Sequence, residues 1–298
     1  MQKASRSTGF RAAMLLAILV PVLMSAALAE GHEFFNSDLL VSTEWLKQHL
    51  GYPELRVIDF RKDAADYGYG HIPDAVFVDR CLISREVNCV DGMLAHVEAV
   101  EQVLEQAGVS SSSTVVIYDE GNGLWASRLF WAMEYIGHDD VRVLDGGWEA
   151  WLAGGGEESV DIPQVVKGSI EPAVRPEALA TKDWILPRLD DPAVVVLDTR
   201  TIEEFEGTEA MAERGGHIPG AVHIPWLDGV RDDGTNMFKP SKELIGLYRS
   251  HGITPEKEVV TYCQAGVRAA HSYFTMRLLG YPHVRMYDGS WAEWGNDP

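Results

Sequence analysis

Cys263 stands in a segment whose residue types and order suit nucleophilic chemistry: Val259-Val260-Thr261-Tyr262-Cys263-Gln264-Ala265-Gly266-Val267-Arg268-Ala269-Ala270. A β-branched run ends at Tyr262, a tight loop follows, and a helix is expected to begin near Arg268. In open α/β sheets ligands bind at the carboxyl ends of the strands, which puts Cys263 where chemistry is expected. Successive backbone N–H groups that curl into a helix N-terminus form a cradle of partial positive charge. Such surroundings favour the thiolate, the nucleophilic form of a cysteine. Gly266 lets the backbone turn without a Cβ clash, and Arg268 adds a full positive charge within one turn. The same amides suit a persulfide anion. A cysteine is also a common inert core residue, but a place after a buried strand, before a helix and beside an arginine argues for the reactive role.

The elements that position this loop occur twice. Ser42-Thr43-Glu44-Trp45-Leu46 is answered by Thr181-Lys182-Asp183-Trp184-Ile185, and Val57-Ile58-Asp59-Phe60-Arg61 by Val196-Leu197-Asp198-Thr199-Arg200. Gly70-His71-Ile72-Pro73 matches Gly216-His217-Ile218-Pro219, Val115-Val116-Ile117-Tyr118 matches Val259-Val260-Thr261-Tyr262, and Asp145-Gly146-Gly147-Trp148 matches Asp288-Gly289-Ser290-Trp291. Five matches in one order mean two copies of one domain. Short apolar strands alternate with helical stretches such as Val97 to Ala107 and Arg268 to Leu279, the pattern of parallel strands with crossover helices. Strands so uniformly apolar are buried on both faces. The expected fold is therefore two tandem open, doubly wound α/β domains, residues 38–153 and 181–296. The stretch 154–180, rich in Gly, Pro and charge, reads as a linker.

The strand-Cys-loop-helix, the two Asp-x-Arg strand ends, the two His-Ile-Pro segments and the two Asp-Gly-(Gly/Ser)-Trp segments together resemble the rhodanese family, over about residues 38–296. The resemblance implies sulfur transfer through a persulfide on Cys263 and an active-site loop of six residues. Gln264, Ala265, Gly266, Val267 and Arg268 then surround the donor. It also implies that the nucleophile is confined to the second copy. In the first copy the matching position is Asp119, so that domain is expected to be catalytically silent and to wall an interdomain cleft.

A rival chemistry uses Cys-x5-Arg, the wider oxyanion loop of tyrosine phosphatases and arsenate reductases. Here position 269 is Ala and the arginine comes one place earlier, so the loop is one residue too short. Within the family, thiosulfate-using members often carry basic residues after the cysteine, and mercaptopyruvate-using members a hydroxyl residue; this chain has Gln264 and Ala265. The arginine that binds the donor anion in the animal enzymes aligns with Glu204, which leaves Arg268 as the expected anion-binding cation. Thiosulfate is the expected donor, ahead of 3-mercaptopyruvate, with a thiol or cyanide as acceptor. A second functional class is a persulfide carrier that accepts sulfur from a partner protein and hands it on.

His71 and His217 recur in both copies, including the silent one, so both read as structural. Asp59 with Arg61 and Asp198 with Arg200 end equivalent strands, where buried ion pairs are the default; Asp198 and Arg200 are also candidates for bracing the site from behind. Trp226 is a candidate wall of the sulfur pocket, although an aromatic there is equally at home in a core. Trp148 and Trp291 read as packing.

The first 29 residues read as a signal peptide: Lys3, Arg6 and Arg11 precede an apolar run that ends in Ala27-Leu28-Ala29. Cleavage there and a periplasmic location are expected, with no stable membrane association of the mature protein. Loss of those three cations takes the net charge from −20 to −23, which disfavours nucleic acid and anionic membranes as partners. No cofactor and no metal is expected, since the three cysteines show no metal-site spacing. In an oxidising compartment Cys81 and Cys89, eight residues apart, are expected to pair.

Overall fold

The computed structural model describes residues 34–297; the expected signal segment, 1–29, lies outside them. The first copy contributes the strands β1 (Leu40–Val41), β2 (Leu55–Asp59), β3 (Val76–Phe77), β4 (Ser84–Val87), β5 (Val90–Leu94), β6 (Thr114–Tyr118) and β7 (Val141–Leu144). The second contributes β8 (Leu179–Ala180), β9 (Val194–Asp198), β10 (Val222–His223), β11 (Glu258–Tyr262) and β12 (Val284–Tyr287). Two parallel five-stranded sheets result, ordered β1-β7-β6-β2-β3 and, read in the same sense, β8-β12-β11-β9-β10. The internal repeat is thus repeated in strand order as well. The centre strands run Thr-Val-Val-Ile-Tyr in β6 and Glu-Val-Val-Thr-Tyr in β11; β-branched side chains suit a pleated strand buried on both faces.

The helices are α1 (Thr43–His49), α2 (Ala64–Tyr69), α3 (Val97–Gln106), α4 (Leu124–Tyr135), α5 (Gly147–Ala153), α6 (Lys182–Ile185), α7 (Ile202–Glu206), α8 (Ser241–Ser250), α9 (Val267–Leu278) and α10 (Ser290–Trp294). Helices α4 and α9 follow the equivalent strands β6 and β11 and are buried along almost their whole length. A helix apolar all round belongs inside a core, and these two pack on each other between the sheets. Phe130 and Phe274 meet edge to face at 4.7 Å, and Glu134 of α4 accepts a hydrogen bond from the Tyr273 hydroxyl (2.8 Å) and pairs with Arg277 (2.6 Å), both on α9. One apolar cluster spans both copies, from Ile58 and Ile117 to Phe274 and Met286. Among the described residues no helix is long and apolar enough to cross a membrane.

Residues 154–180 run back along the first copy, bridging His71 to Ser159 and tying Ala173 N–H to the Ile136 carbonyl at 2.8 Å. The last two residues of this stretch differ from a linker. Leu179 and Ala180 form β8, the edge strand of the second sheet, paired with Met286 and Tyr287; two residues are too few to show a period.

The expected Cys81–Cys89 bridge is not formed, and both thiols are free and exposed. The reason is the hairpin β4–β5, which carries Cys89 at its tip, where its φ is 63°. Cys81 sits in the 3-10 turn Arg80–Ile83 at the hairpin's base. The length of β4, about 10 Å, separates them, beyond the reach of a disulfide.

Candidate active site

Cys263 directly follows β11, with 1% of its surface exposed. Its N–H donates to the Ser290 hydroxyl (3.2 Å), and its carbonyl accepts from Trp291 N–H (2.9 Å). Gln264 continues the clamp, since its carbonyl accepts from Ala292 N–H (3.0 Å) and its side-chain amide donates to the Met211 carbonyl (3.0 Å). The loop is therefore pinned to the start of α10, and Ser290 does the pinning from a left-handed backbone (φ 50°) that a serine seldom adopts. The equivalent residue in the first copy is Gly147. Ser290 Oγ also donates to the Tyr287 carbonyl at 2.8 Å.

Gly266 caps α9 in the left-handed region at φ 80°. A Cβ there would lie 2.8 Å from Arg128 Nη1 and 2.9 Å from Asp288 Oδ1, so the first copy reaches directly against the loop. Arg128, on α4, pairs with Asp288 at 2.7 Å and donates to the Gly92 carbonyl at 2.9 Å. The other oxygen of Asp288 accepts from Leu94 N–H at 2.7 Å. Helix α4 and the hairpin of the first copy are thus locked to the Asp288-Gly289-Ser290 turn that holds Cys263. A Cβ on Gly92 would sit 3.9 Å from Ala265, which makes the hairpin a wall beside the loop.

The first copy shows what such a loop does with an anion. Asp119 occupies the cysteine's place, and its carboxylate accepts hydrogen bonds from the N–H groups of Gly121 (3.0 Å), Gly123 (3.1 Å), Trp125 (2.9 Å) and Ala126 (3.1 Å). Burial, with help from the neighbouring Glu120, outweighs the amides of Ala126, Gly123 and Trp125 and pushes this carboxyl up. Between strand and capping glycine this loop has one residue more than the catalytic one. In the second copy a turn one residue shorter, at the equivalent strand-to-helix junction, carries a sulfur in place of the carboxylate.

Arg268 differs from its expected role as a free anion-binding cation. Both of its terminal nitrogens are taken by Glu204, at 2.5 and 2.8 Å. Burial lowers the guanidinium's hold on its proton, but Glu204 and the neighbouring Cys263 outweigh this and push it up. Burial likewise opposes ionisation of Glu204, and the Arg268 and Thr201 hydrogen bonds outweigh it and hold the carboxyl below its ordinary range. Val267 opens α9 between the cap and this arginine.

Asp198 and Arg200 form a buried ion pair of 2.6 Å, as Asp59 and Arg61 do in the first copy. Asp198 accepts from the Tyr262 hydroxyl, and Arg200 lies 4.7 Å from the Trp291 ring. Burial and the Asp198 carboxylate push the Tyr262 hydroxyl well above its ordinary value, leaving it a fixed donor. These groups anchor the strand end that carries Cys263. Trp226 meets the His271 ring edge to face at 5.1 Å, and His71 and His217 bond backbone carbonyls of Tyr67 and Phe205. Trp148 and Trp291 do more than fill space, since each lies under a buried guanidinium. Glu204's pairing, Arg128 and the hairpin were not singled out in the sequence, and Asp288 and Ser290 stood in the repeated Asp-Gly-(Gly/Ser)-Trp segment without a site role. Only the Gly147-to-Ser290 difference between the copies signalled one of them.

A rhodanese-like domain model matches residues 42–154 and again 181–297. The chain is 37% identical over 286 residues to the sulfur carrier protein TtuD of Thermus thermophilus, covering 88% of this chain and 95% of that protein. It is 34% identical over 265 residues to a thiosulfate sulfurtransferase of Pseudomonas aeruginosa, covering 89% and 97%. Among solved structures it superposes on SseA of Escherichia coli, described with the 3-mercaptopyruvate sulfotransferases, with a TM-score of 0.77 and 29% identity over 85% of this chain and 98% of that one. With both copies matched and Cys263 seated in the loop of the second, the chain belongs to the rhodanese family as a tandem two-domain member.

Proposed function

We propose that this protein transfers sulfane sulfur from thiosulfate or a similar small anion, ahead of 3-mercaptopyruvate, to a thiophilic acceptor. The observation that carries the reading is the equivalence of Cys263 to Asp119, whose carboxyl oxygens accept from four backbone amides. In the first half-reaction the Cys263 thiolate forms a bond to the outer sulfur of thiosulfate. The donor's S–S bond breaks, and its electron pair leaves with sulfite. A persulfide anion remains, stabilised by the loop amides. In the second, cyanide or a thiolate takes the outer sulfur and restores the thiolate. Neither step consumes an oxidant. Two half-reactions at one nucleophile give ping-pong kinetics.

Intact-mass measurement of the wild type after thiosulfate should show a gain of one sulfur, about 32 daltons, lost again on adding cyanide. Cys263→Ser should show neither. Turnover by Cys263→Ser would overturn the reading. The likeness to a sulfur carrier protein favours a second reading, hand-off between proteins with little turnover on small donors; a wild type that thiosulfate alone leaves unloaded would support it. We also propose export with cleavage after Ala29, for which N-terminal sequencing of periplasmic protein should begin at Glu30.

A further inference from the structure

Three guanidinium groups surround the catalytic loop, and each has a carboxylate of its own. Arg268 pairs with Glu204, Arg128 with Asp288, and Arg200 with Asp198. The carboxylates are 5, 4 and 0% exposed, so water does little to weaken the pairing. Around the cysteine each fixed positive charge is therefore matched by a carboxylate, including that of Arg268, which also neighbours the Cys263 sulfur.

Glu204 is also held so that it cannot yield easily. It closes a capping box at the start of α7: Glu204 N–H donates to the Thr201 hydroxyl at 3.3 Å, and the Glu204 carboxylate accepts from Thr201 N–H at 3.1 Å. A donor that sought Arg268 would have to displace this carboxylate and leave it buried without its cation, which is costly. A donor with two negative charges also places the second beside Glu204.

We propose that Glu204 is a specificity-determining residue that sets the charge of the donor: by neutralising Arg268 it favours sulfane donors bearing one negative charge over the dianion thiosulfate. This rests on the sulfur-transfer reading and moves its preferred donor from thiosulfate to a similar sulfane anion of single charge. Thiosulfate still reacts, but without the guanidinium's fork. Glu204 acts through Arg268, so it is a positioning residue.

Methanethiosulfonate is the discriminating probe. It keeps the sulfonyl sulfur and the transferable outer sulfur, but a methyl group replaces one anionic oxygen, leaving a single charge. The Cys263 thiolate takes the outer sulfur from either donor, and the electron pair departs with methanesulfinate or sulfite. The second-order rate of persulfide formation is measured by intact mass for the full chain with each donor, and each rate is divided by that of free cysteine thiolate with the same donor. The wild type should favour methanethiosulfonate on this normalised scale. Glu204→Gln, which keeps an acceptor for Thr201 but removes the charge, should raise the thiosulfate rate about tenfold, the low end for one charge-assisted hydrogen bond, and leave the methanethiosulfonate rate nearly unchanged. Added salt should narrow the wild-type difference. A wild type that favours thiosulfate, or a donor ratio that Glu204→Gln leaves unmoved, overturns the proposal. The wild-type arm decides even where the variant does not fold. Loading by neither donor overturns the sulfur-transfer reading itself.

Discussion

Arg128 of the first copy and Asp288 of the second form a buried ion pair of 2.7 Å directly against Gly266. The Cys263 loop thus packs against both copies, and the first domain reaches it through this pair as well as through the hairpin wall.

Arg128→Ala should therefore cost both stability and rate. It strands Asp288 as an unpaired buried charge, for which a loss of about 3–5 kcal/mol is expected, read by urea or thermal unfolding. Sulfur loading should fall, because the turn holding Ser290 loses its anchor. A double-mutant cycle with Asp288→Asn should show a coupling above about 1 kcal/mol; strict additivity would contradict the role given to the pair.

Ser290→Ala and Ser290→Gly separate backbone strain from hydrogen bonding. Both remove the acceptor for Cys263 N–H, worth about 1–2 kcal/mol when a buried donor is left alone, and both should slow loading to a similar extent. The glycine variant should lose less stability, since φ 50° suits it. Equal unfolding midpoints for the two would count against strain at this position.

Asp119→Ala should uncouple stability from turnover. Four amides lose their acceptor, and a loss of about 2 kcal/mol or more is expected, while sulfur transfer at Cys263 stays close to that of the wild type. A large fall in turnover at full folding would show that the first loop takes part in the reaction.

His271 gives the acid side of the stability profile. It is buried between Phe238 and Trp226, and burial pushes it down to about 3, with the Asn122 backbone opposing. Its folded value is depressed below the unfolded value near ~6.5, so the native state gains nothing from protonation while the unfolded chain does. Its contribution is intact above about pH 6.5 and is lost as pH falls towards 3, at up to about 1.4 kcal/mol per pH unit. His271→Phe should flatten unfolding free energy against pH in that window. An unchanged slope would mean that His138, which burial also pushes down, and the carboxylates carry the whole dependence.

What the sequence by itself determined was the periodic and local part of this protein. Duplication, the parallel strands, the cysteine at a strand's end and the glycine that turns the loop into α9 all follow from residue order, because strand burial and turn geometry act between near neighbours. The reading of Arg268 as a free cation had the same local basis, and so did the pairing expected of Cys81 and Cys89. Both were settled by contacts that no local pattern encodes. A capping box 64 residues away presents Glu204 to Arg268, and a hairpin carries Cys89 away from Cys81. Whether a charge is free or matched depends on which carboxylate the folded chain brings within 3 Å and on how much water is excluded around the pair. Those are properties of packing within each copy between segments distant in sequence, and only the tertiary structure decides them.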